Sequence, residues 1–314
     1  MRSCRRNALV GFALLVTLAF GCGGSSSNPD AAPFDSAGTQ EAAGPPPPYC
    51  TSNPALAGMP DLSGTWVMRL TGAQAVSAPI VGIVHTKSVF YILATIAQNG
   101  DWVANGRYCD RVEMDPATNI VQVIIPTPWA HTEKPITRVG GKLVLASDGT
   151  WVLTFPLLTE IAGAVLAADS DPLPTAADDP RVIDEDGDGH PGITVSLSGQ
   201  SISGNLYSVE KQMTQITAIA VAQDRVEGAL AYSSLQNVLS SDPSTLTALY
   251  PQNQPPASDP VLCNSGFAMV RIAGAGAVDG GAIDAATLDA GASLDGGSVT
   301  CEWVRANESV LFPQ

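Results

Sequence analysis

Four residues, Gln98-Asn99-Gly100-Asp101, separate two runs of strand type, Val89 to Ala97 and Trp102 to Cys109. Both runs are rich in β-branched and aromatic side chains, which fit a pleated, half-buried surface. Asn-Gly between such runs is a strong hairpin signal, because both central residues of a type I′ turn need positive φ. The same grammar recurs along the chain. Leu62 to Leu70 reads as an opening strand, followed by Pro79 to Val84. Ile120 to Ile125 has the continuous apolar character of a buried strand. Gly140-Gly141 and Ser147-Asp148-Gly149 bracket a second hairpin, Lys142 to Ala146 with Thr150 to Phe155. Ile193 to Leu197, Asn205 to Glu210, Thr214 to Ala222 and Arg225 to Tyr232 continue the series. Gly266 to Ile272 reads as a late strand with Val299 to Arg305 as its partner. For Leu157 to Ala168 periodicity does not separate helix from strand. Short strands at close spacing predict one all-β domain over residues 59–314, an antiparallel β-barrel or a sandwich.

Composition agrees. The chain holds 21 Asp against 9 Glu, with 30 Gly and 24 Pro. Asp favours caps and turns where Glu favours helices, so loops should be many and helices few. The hydrophobic content of 45% is enough for one sizeable core. A net charge of −15 excludes nucleic acid as a partner held by charge. Residues 22–58 are rich in Ser, Pro, Ala and Gly and read as a disordered linker. Ala273 to Ser298 spaces Asp279, Asp284, Asp289 and Asp295 in an Ala/Gly background. It buries too little apolar surface to order itself, and reads as a disordered insertion between the last two elements.

The N-terminal 21 residues have the layout of a signal peptide: Arg2, Arg5 and Arg6, then an apolar run from Ala8 to Phe20. That run is shorter than a membrane span requires. It ends in Ala19-Phe20-Gly21-Cys22, followed by Gly-Gly-Ser-Ser-Ser. This resembles the lipobox of bacterial lipoproteins. The resemblance implies lipidation at Cys22, attachment to a membrane through that lipid, and, with Gly23 after the Cys, the outer membrane of the cell envelope. Cleavage before Cys22 removes three arginines and no acid, which takes the net charge to −18.

Gly64-x-Trp66 on the first strand resembles the opening motif of lipocalins and related calycin barrels. In that family the Trp closes one barrel end and packs against an Arg from the end of the chain. Arg305 is the candidate for this partner. The resemblance implies a barrel of about eight strands, wide enough to hold one small apolar ligand. The five tryptophans, Trp66, Trp102, Trp129, Trp151 and Trp303, are then expected in the core or at barrel ends rather than on a sugar-stacking platform.

From Asp169 to Asp188 the chain carries eight acids and one base, Arg181. The run ends in Asp184-Glu185-Asp186-Gly187-Asp188-Gly189. Carboxylates at alternate positions of a tight turn can converge on one point, and the glycines supply positive φ. Ca²⁺ takes six to eight oxygen ligands at about 2.3–2.6 Å, which suits Asp184, Asp186 and Asp188. The run resembles the calcium loops of EF-hands, dockerins and thrombospondin type 3 repeats. The closing Glu of an EF-hand falls here on Val195, so a free-standing Asp loop is expected, with further ligands from Asp178, Asp179, Glu185 or water. The alternative is a solvated acidic turn. One histidine, His190, among hard carboxylates makes a poor zinc site.

Four cysteines remain beyond Cys4 and Cys22. An even count in an exported chain predicts two disulfides, with three possible connectivities. The expected pairs are Cys50–Cys109 and Cys263–Cys301, the second stapling the base of the low-complexity insertion. No Cys pair has zinc-finger spacing. The chain contains no G-x-S-x-G, no H-E-x-x-H and no phosphate loop. A non-enzymatic envelope lipoprotein is therefore expected, binding a small apolar ligand. A surface adhesion or interaction module stiffened by calcium is the alternative. An envelope hydrolase without a recognisable motif is the third reading, with His131 and Glu133 as its candidate acid–base pair.

Overall fold

The computed structural model describes residues 50–51, 56–78, 82–114, 121–199, 202–249, 258–272 and 299–313. The signal peptide, Cys22, most of the linker and the 273–298 insertion lie outside the described residues. The fold is the expected all-β one. Among the described residues ten strands form a single antiparallel sheet: β1 (Gly64–Ala78), β2 (Gly82–Asn99), β3 (Asp101–Met114), β4 (Val121–Ile124), β5 (Pro135–Leu145), β6 (Trp151–Ala162), β7 (Ile193–Gly199), β8 (Gly204–Ala222), β9 (Arg225–Asp242) and β10 (Gly266–Arg271). The strand order is β4-β7-β8-β6-β5-β3-β2-β1-β10-β9, and β9 also pairs with β8. That last pairing closes a ring of eight strands, β1-β2-β3-β5-β6-β8-β9-β10. This decides barrel over sandwich. β7 and β4 extend outside the ring.

Local chemistry explains the register. The Asn-Gly signal does join β2 to β3, but only Gly100 takes positive φ, at +74°, and Asn99 still pairs with Asp101, so the turn is tighter than the expected type I′. Several strands run further than their apolar centres suggest. β6 continues to Ala162, so the first half of the Leu157 to Ala168 segment is strand and the rest is neither strand nor helix, with an irregularity in the pairing of β6 to β8 between Phe155 and Leu158. The two runs at 205–210 and 214–222 form one strand, β8.

Side chains of alternate residues point into the ring. Trp66, Met68 and Leu70 of β1 meet Ile92, Ala94 and Ile96 of β2, Ile216 and Ala218 of β8, Leu230 of β9, and Phe267 and Met269 of β10. The space bounded by Met68, Ile92, Ala94, Ala104, Gly106, Ile136 and Arg138 leaves no room for a water molecule. The opposite face of the β1, β2, β3 and β10 wall carries Val67, Leu93, Cys109, Ala268 and Val270. It is covered by helix α2 (Cys301–Leu311), through Trp303, Val304 and Leu311. A short helix, α1 (Thr127–Ala130), sits between β4 and β5.

Three expectations are corrected here. Val299 to Arg305 is not a strand. Thr300 caps a helix, accepting a hydrogen bond from Trp303 N, and β10 pairs instead with β1 and β9. The disulfides are Cys50–Cys263 and Cys109–Cys301, not Cys50–Cys109 and Cys263–Cys301. Cys50 precedes Thr51, whose hydroxyl bonds Glu227 of β9 beside the start of β10, so Cys263 is its neighbour. Cys109 faces outward under α2, which brings Cys301 to it. Finally, Arg305 does not reach Trp66. Its Nη1 donates to Cys109 O at 2.8 Å. The guanidinium over the Trp66 ring belongs to Arg271, 4.9 Å from the ring centroid, at the end of the last strand.

Candidate metal centre

β6 ends at Ala162, opposite Glu210 of β8, and β7 begins at Ile193, opposite Ser208 of the same strand. The two strands lie end to end on one edge of β8. The acidic segment 163–192 is therefore a strap that leaves the barrel and returns to nearly the same place. At its neck the chain has no room for side chains. A Cβ on Gly163 would lie 2.8 Å from Gly192 Cα, and one on Gly192 only 2.1 Å from Ser208 O. Both glycines also take positive φ.

The strap lies on the outer wall. Leu173 and Ala164 pack on Val209 and Leu239. Lys211, only 8% exposed, donates to Asp169 O and Asp171 O, at 2.6 and 2.7 Å. Asn237 Nδ2 donates to Pro174 O at 3.0 Å. Arg181 forks onto Asp179, its Nε and Nη2 reaching Oδ1 and Oδ2 at 3.0 and 2.7 Å. Those hydrogen bonds hold the Asp179 carboxyl down at about 2.

At the far end of the strap the three expected carboxylates do converge. Asp184, Asp186 and Asp188 each offer an oxygen, all within 4.8 Å of one another. The turn is built by its own side chains. Asp184 Oδ1 accepts from Gly187 N at 2.8 Å and Oδ2 from Gly189 N at 2.9 Å. Asp188 Oδ1 accepts from His190 N and Oδ2 from the Thr194 hydroxyl, at 2.9 and 2.5 Å. Asp186 Oδ2 accepts from Thr194 N at 2.9 Å. Asp186 Oδ1 is buried and meets no donor. Burial, and then the charges of Asp188 and Asp184, push the Asp186 carboxyl up against the pull of Thr194 N–H. A hard dication among the three would give Oδ1 its missing partner and offset the crowding of negative charge. His190 instead stacks on Tyr207, with ring centroids 4.1 Å apart.

Glu185 is not part of the trio. It turns to the barrel, accepting from Lys134 Nζ at 2.7 Å and from Gly163 N at 2.5 Å, and its side chain is 9% exposed. Asp179 is likewise taken up by Arg181. Of the three residues expected to complete the ligand set, Glu185 and Asp179 are engaged elsewhere and Asp178 is exposed and not grouped with the trio, which leaves water and backbone carbonyls.

The rest of the interior is polar towards one end. Arg111 lies between the rings of Tyr108 and Trp129, 4.4 and 4.1 Å from their centroids, and donates to Trp129 O and Thr132 O. Tyr108 donates to Glu160 at 2.6 Å. Burial pushes the Glu210 carboxyl up, opposed by hydrogen bonds from Ser234 and Gln212. Arg138, 3% exposed, donates to Thr214, while its Nε and Nη1 find no acceptor. As expected, the tryptophans serve packing: Trp66 and Trp102 inside the ring with Trp151 against them, Trp129 over Arg111, and Trp303 on α2 against the barrel wall. His131 and Glu133 do not meet as a pair. His131 faces Asp110 at 3.8 Å, while Glu133 faces Arg107 and Arg305.

Sequence reasoning does not single out Arg271, or Lys134 as the partner of Glu185. For Arg271 a signal existed, since it sits near the end of a strand that was recognised. Among the described residues no helix is long and apolar enough to cross a membrane. Comparison with protein-family models, with curated proteins and with solved structures finds no match to this chain.

Proposed function

We propose that this is an exported envelope protein, held to the membrane by a lipid at Cys22, whose packed barrel is a scaffold and whose strap takes a calcium ion at Asp184, Asp186 and Asp188. The observation that carries the calcium reading is the convergence of three carboxylates within 4.8 Å, with Asp186 Oδ1 buried and without a donor. The side-chain-to-backbone bonds around it pre-form the turn, and the ion would add the contact that Asp186 Oδ1 lacks. With carboxylates and no thiol or neutral imidazole in the trio, the donor set favours a hard cation over zinc. The ion's role on this reading is to stiffen an outward-facing surface for contact with a partner, not to drive a reaction.

This reading prefers the surface module to the ligand carrier. The interior is filled by Trp66, Met68, Phe90, Phe155 and their neighbours, which is the packing of a core. The closed ring, the Trp66 motif and Arg271 at the end of the final strand support a calycin-like architecture. The lipid anchor and the outer membrane rest on the lipobox resemblance alone.

Calorimetric titration of the metal-free protein with calcium should show one saturable event and a rise in Tm. At a hundredfold excess over Kd the gain is about 2.7 kcal/mol. Asp186→Asn should remove most of that gain. No heat and no Tm change at millimolar calcium would remove the metal reading. Cys22→Ala should shift the protein from the membrane to the soluble fraction; retention in the membrane would reject the anchor.

A further inference from the structure

Asn-Gly occurs twice in the chain, at Asn99-Gly100 and at Asn105-Gly106. Both asparagines are exposed, so access to solvent does not separate them. The fold does. Asn105 and Gly106 lie within β3, between β2 and β5, with Gly106 opposite Ala94 on one side and Ile136 on the other. Asn105 Oδ1 accepts from the Thr137 hydroxyl at 3.0 Å. A Cβ on Gly106 would lie 2.5 Å from Leu93 O, so the neighbouring strand is pressed against this backbone. Asn99 and Gly100 sit instead at the tip of the β2–β3 hairpin. Every residue from Ala97 to Gly100 is exposed, and a Cβ on Gly100 would meet nothing within 4 Å. Among the described residues no hydrogen bond holds the Asn99 side chain.

We propose that Asn99 is a site of spontaneous deamidation, and that the β3 ladder protects Asn105 from the same reaction. Base removes the Gly100 amide proton, and the amide nitrogen attacks Asn99 Cγ. The new N–Cγ bond closes a succinimide ring. The Cγ–Nδ2 bond breaks, and its nitrogen takes a proton from water and leaves as ammonia. Water then opens the ring at either carbonyl. One opening leaves an aspartate at position 99; the other leaves an isoaspartate, whose main chain runs through the former side chain. Water is the only co-reactant. Glycine in the following position matters because it has no Cβ to shield the nitrogen and turns freely. The attack also requires the main chain to leave its extended form. A hairpin tip opens locally at small cost, whereas a strand paired on both sides opens only with much of the sheet. The charged groups at the turn are Asp101 and Lys142, which pair with each other.

The product carries a new carboxylate at the register partner of Asp101. Isoaspartate also lengthens the main chain, which breaks the pairing of position 99 with Asp101. The next pair, Gln98 with Trp102, is anchored by Trp102, which is 4% exposed inside the ring. The change therefore marks the hairpin tip, accumulates with the age of the molecule, and leaves the barrel standing.

The test holds the intact, disulfide-bonded protein at mildly alkaline pH and follows it by tandem mass spectrometry, which assigns a mass change to one asparagine or the other. A gain of about 1 Da should build up at Asn99, with matching release of ammonia. Asn105 should convert more slowly by about tenfold or more. In urea the two sites should convert at comparable rates. Asn99→Gln lengthens the side chain, disfavours ring closure and should abolish the gain at that position. The site is rejected if Asn99 keeps its mass in the folded protein. Protection by the ladder is rejected if Asn105 converts as fast as Asn99 in the folded protein, or if it stays inert in urea.

Discussion

The barrel and the strap belong to one chain but are held by different forces. Around Trp66 inside the ring, contacts are apolar and long in sequence separation. Trp66, Phe155, Ile216 and Met269 come from four strands and meet with almost no exposed surface. The strap at 163–192 has a small apolar patch, centred on Leu173, and is otherwise fastened by hydrogen bonds: Lys211 to Asp169 O and Asp171 O, Asn237 to Pro174 O, and Glu185 to Lys134 and Gly163 N. Burial of apolar area is non-directional and sums over the whole interior, so the barrel should unfold as a unit. Hydrogen bonds exchange with water at small net gain, so the strap should open locally before the barrel does. The same contrast explains where an ion is useful. A packed core has no use for one, whereas a crowded acidic turn does.

The sharpest way to break the comparison is Trp66→Ala. Trp66 is wholly buried, its Nε1 donates to Leu62 O at 2.8 Å, and Arg271 lies over its ring. Truncation should cost about 3–5 kcal/mol in urea denaturation, lost from one cooperative transition. Calcium should leave that loss unchanged, because the site of damage is in the barrel. A cost under about 1 kcal/mol would mean that the interior relaxes around the gap and is not the packed core described here.

How much of this was legible in the sequence depended on range. The Asn99-Gly100 turn and the convergence of Asp184, Asp186 and Asp188 are local, encoded within a few residues, and both were read directly. Closure of the ring depends on β8 meeting β9 along their whole lengths, and only the first part of that pairing, around Gln223-Asp224, leaves a turn signal. Lys211 and Gln212 interrupt the apolar pattern of β8, which therefore reads as two strands in the sequence. Lys211 lies beneath the strap, and Gln212 bonds Glu210, so tertiary contacts accommodate what looked like a break. The disulfide pairing depended on which surfaces α2 and the residues near Thr51 cover. The helix itself was hidden because Val299 to Arg305 is apolar enough for a strand. Its cap, Thr300 with Trp303 N, was the available signal. Arg271 and Arg305 are both arginines late in the chain, and only the pairing Trp66 with Arg271 across β1 and β10 separates them.

A smaller effect sharpens the other side of the comparison. Glu185→Gln keeps the size of the side chain but removes the charge that Lys134 faces. Lys134 would retain Ile161 O at 2.5 Å as its remaining partner. Gly163 N could still donate to the amide oxygen. The loss should therefore be that of a charge-assisted hydrogen bond, about 1.5–3 kcal/mol, and it should be confined to the strap. Amide exchange is the measurement that separates local from global. Ile183 N, which bonds Gly163 O, and Gly192 N, which bonds Ile183 O, should exchange faster in the variant. Amides of β1 and β10 should not change. If the barrel amides speed up equally, the strap is a structural part of the barrel's cooperative unit. The distinction between a core that holds itself and a strap held at its neck would then have to be given up.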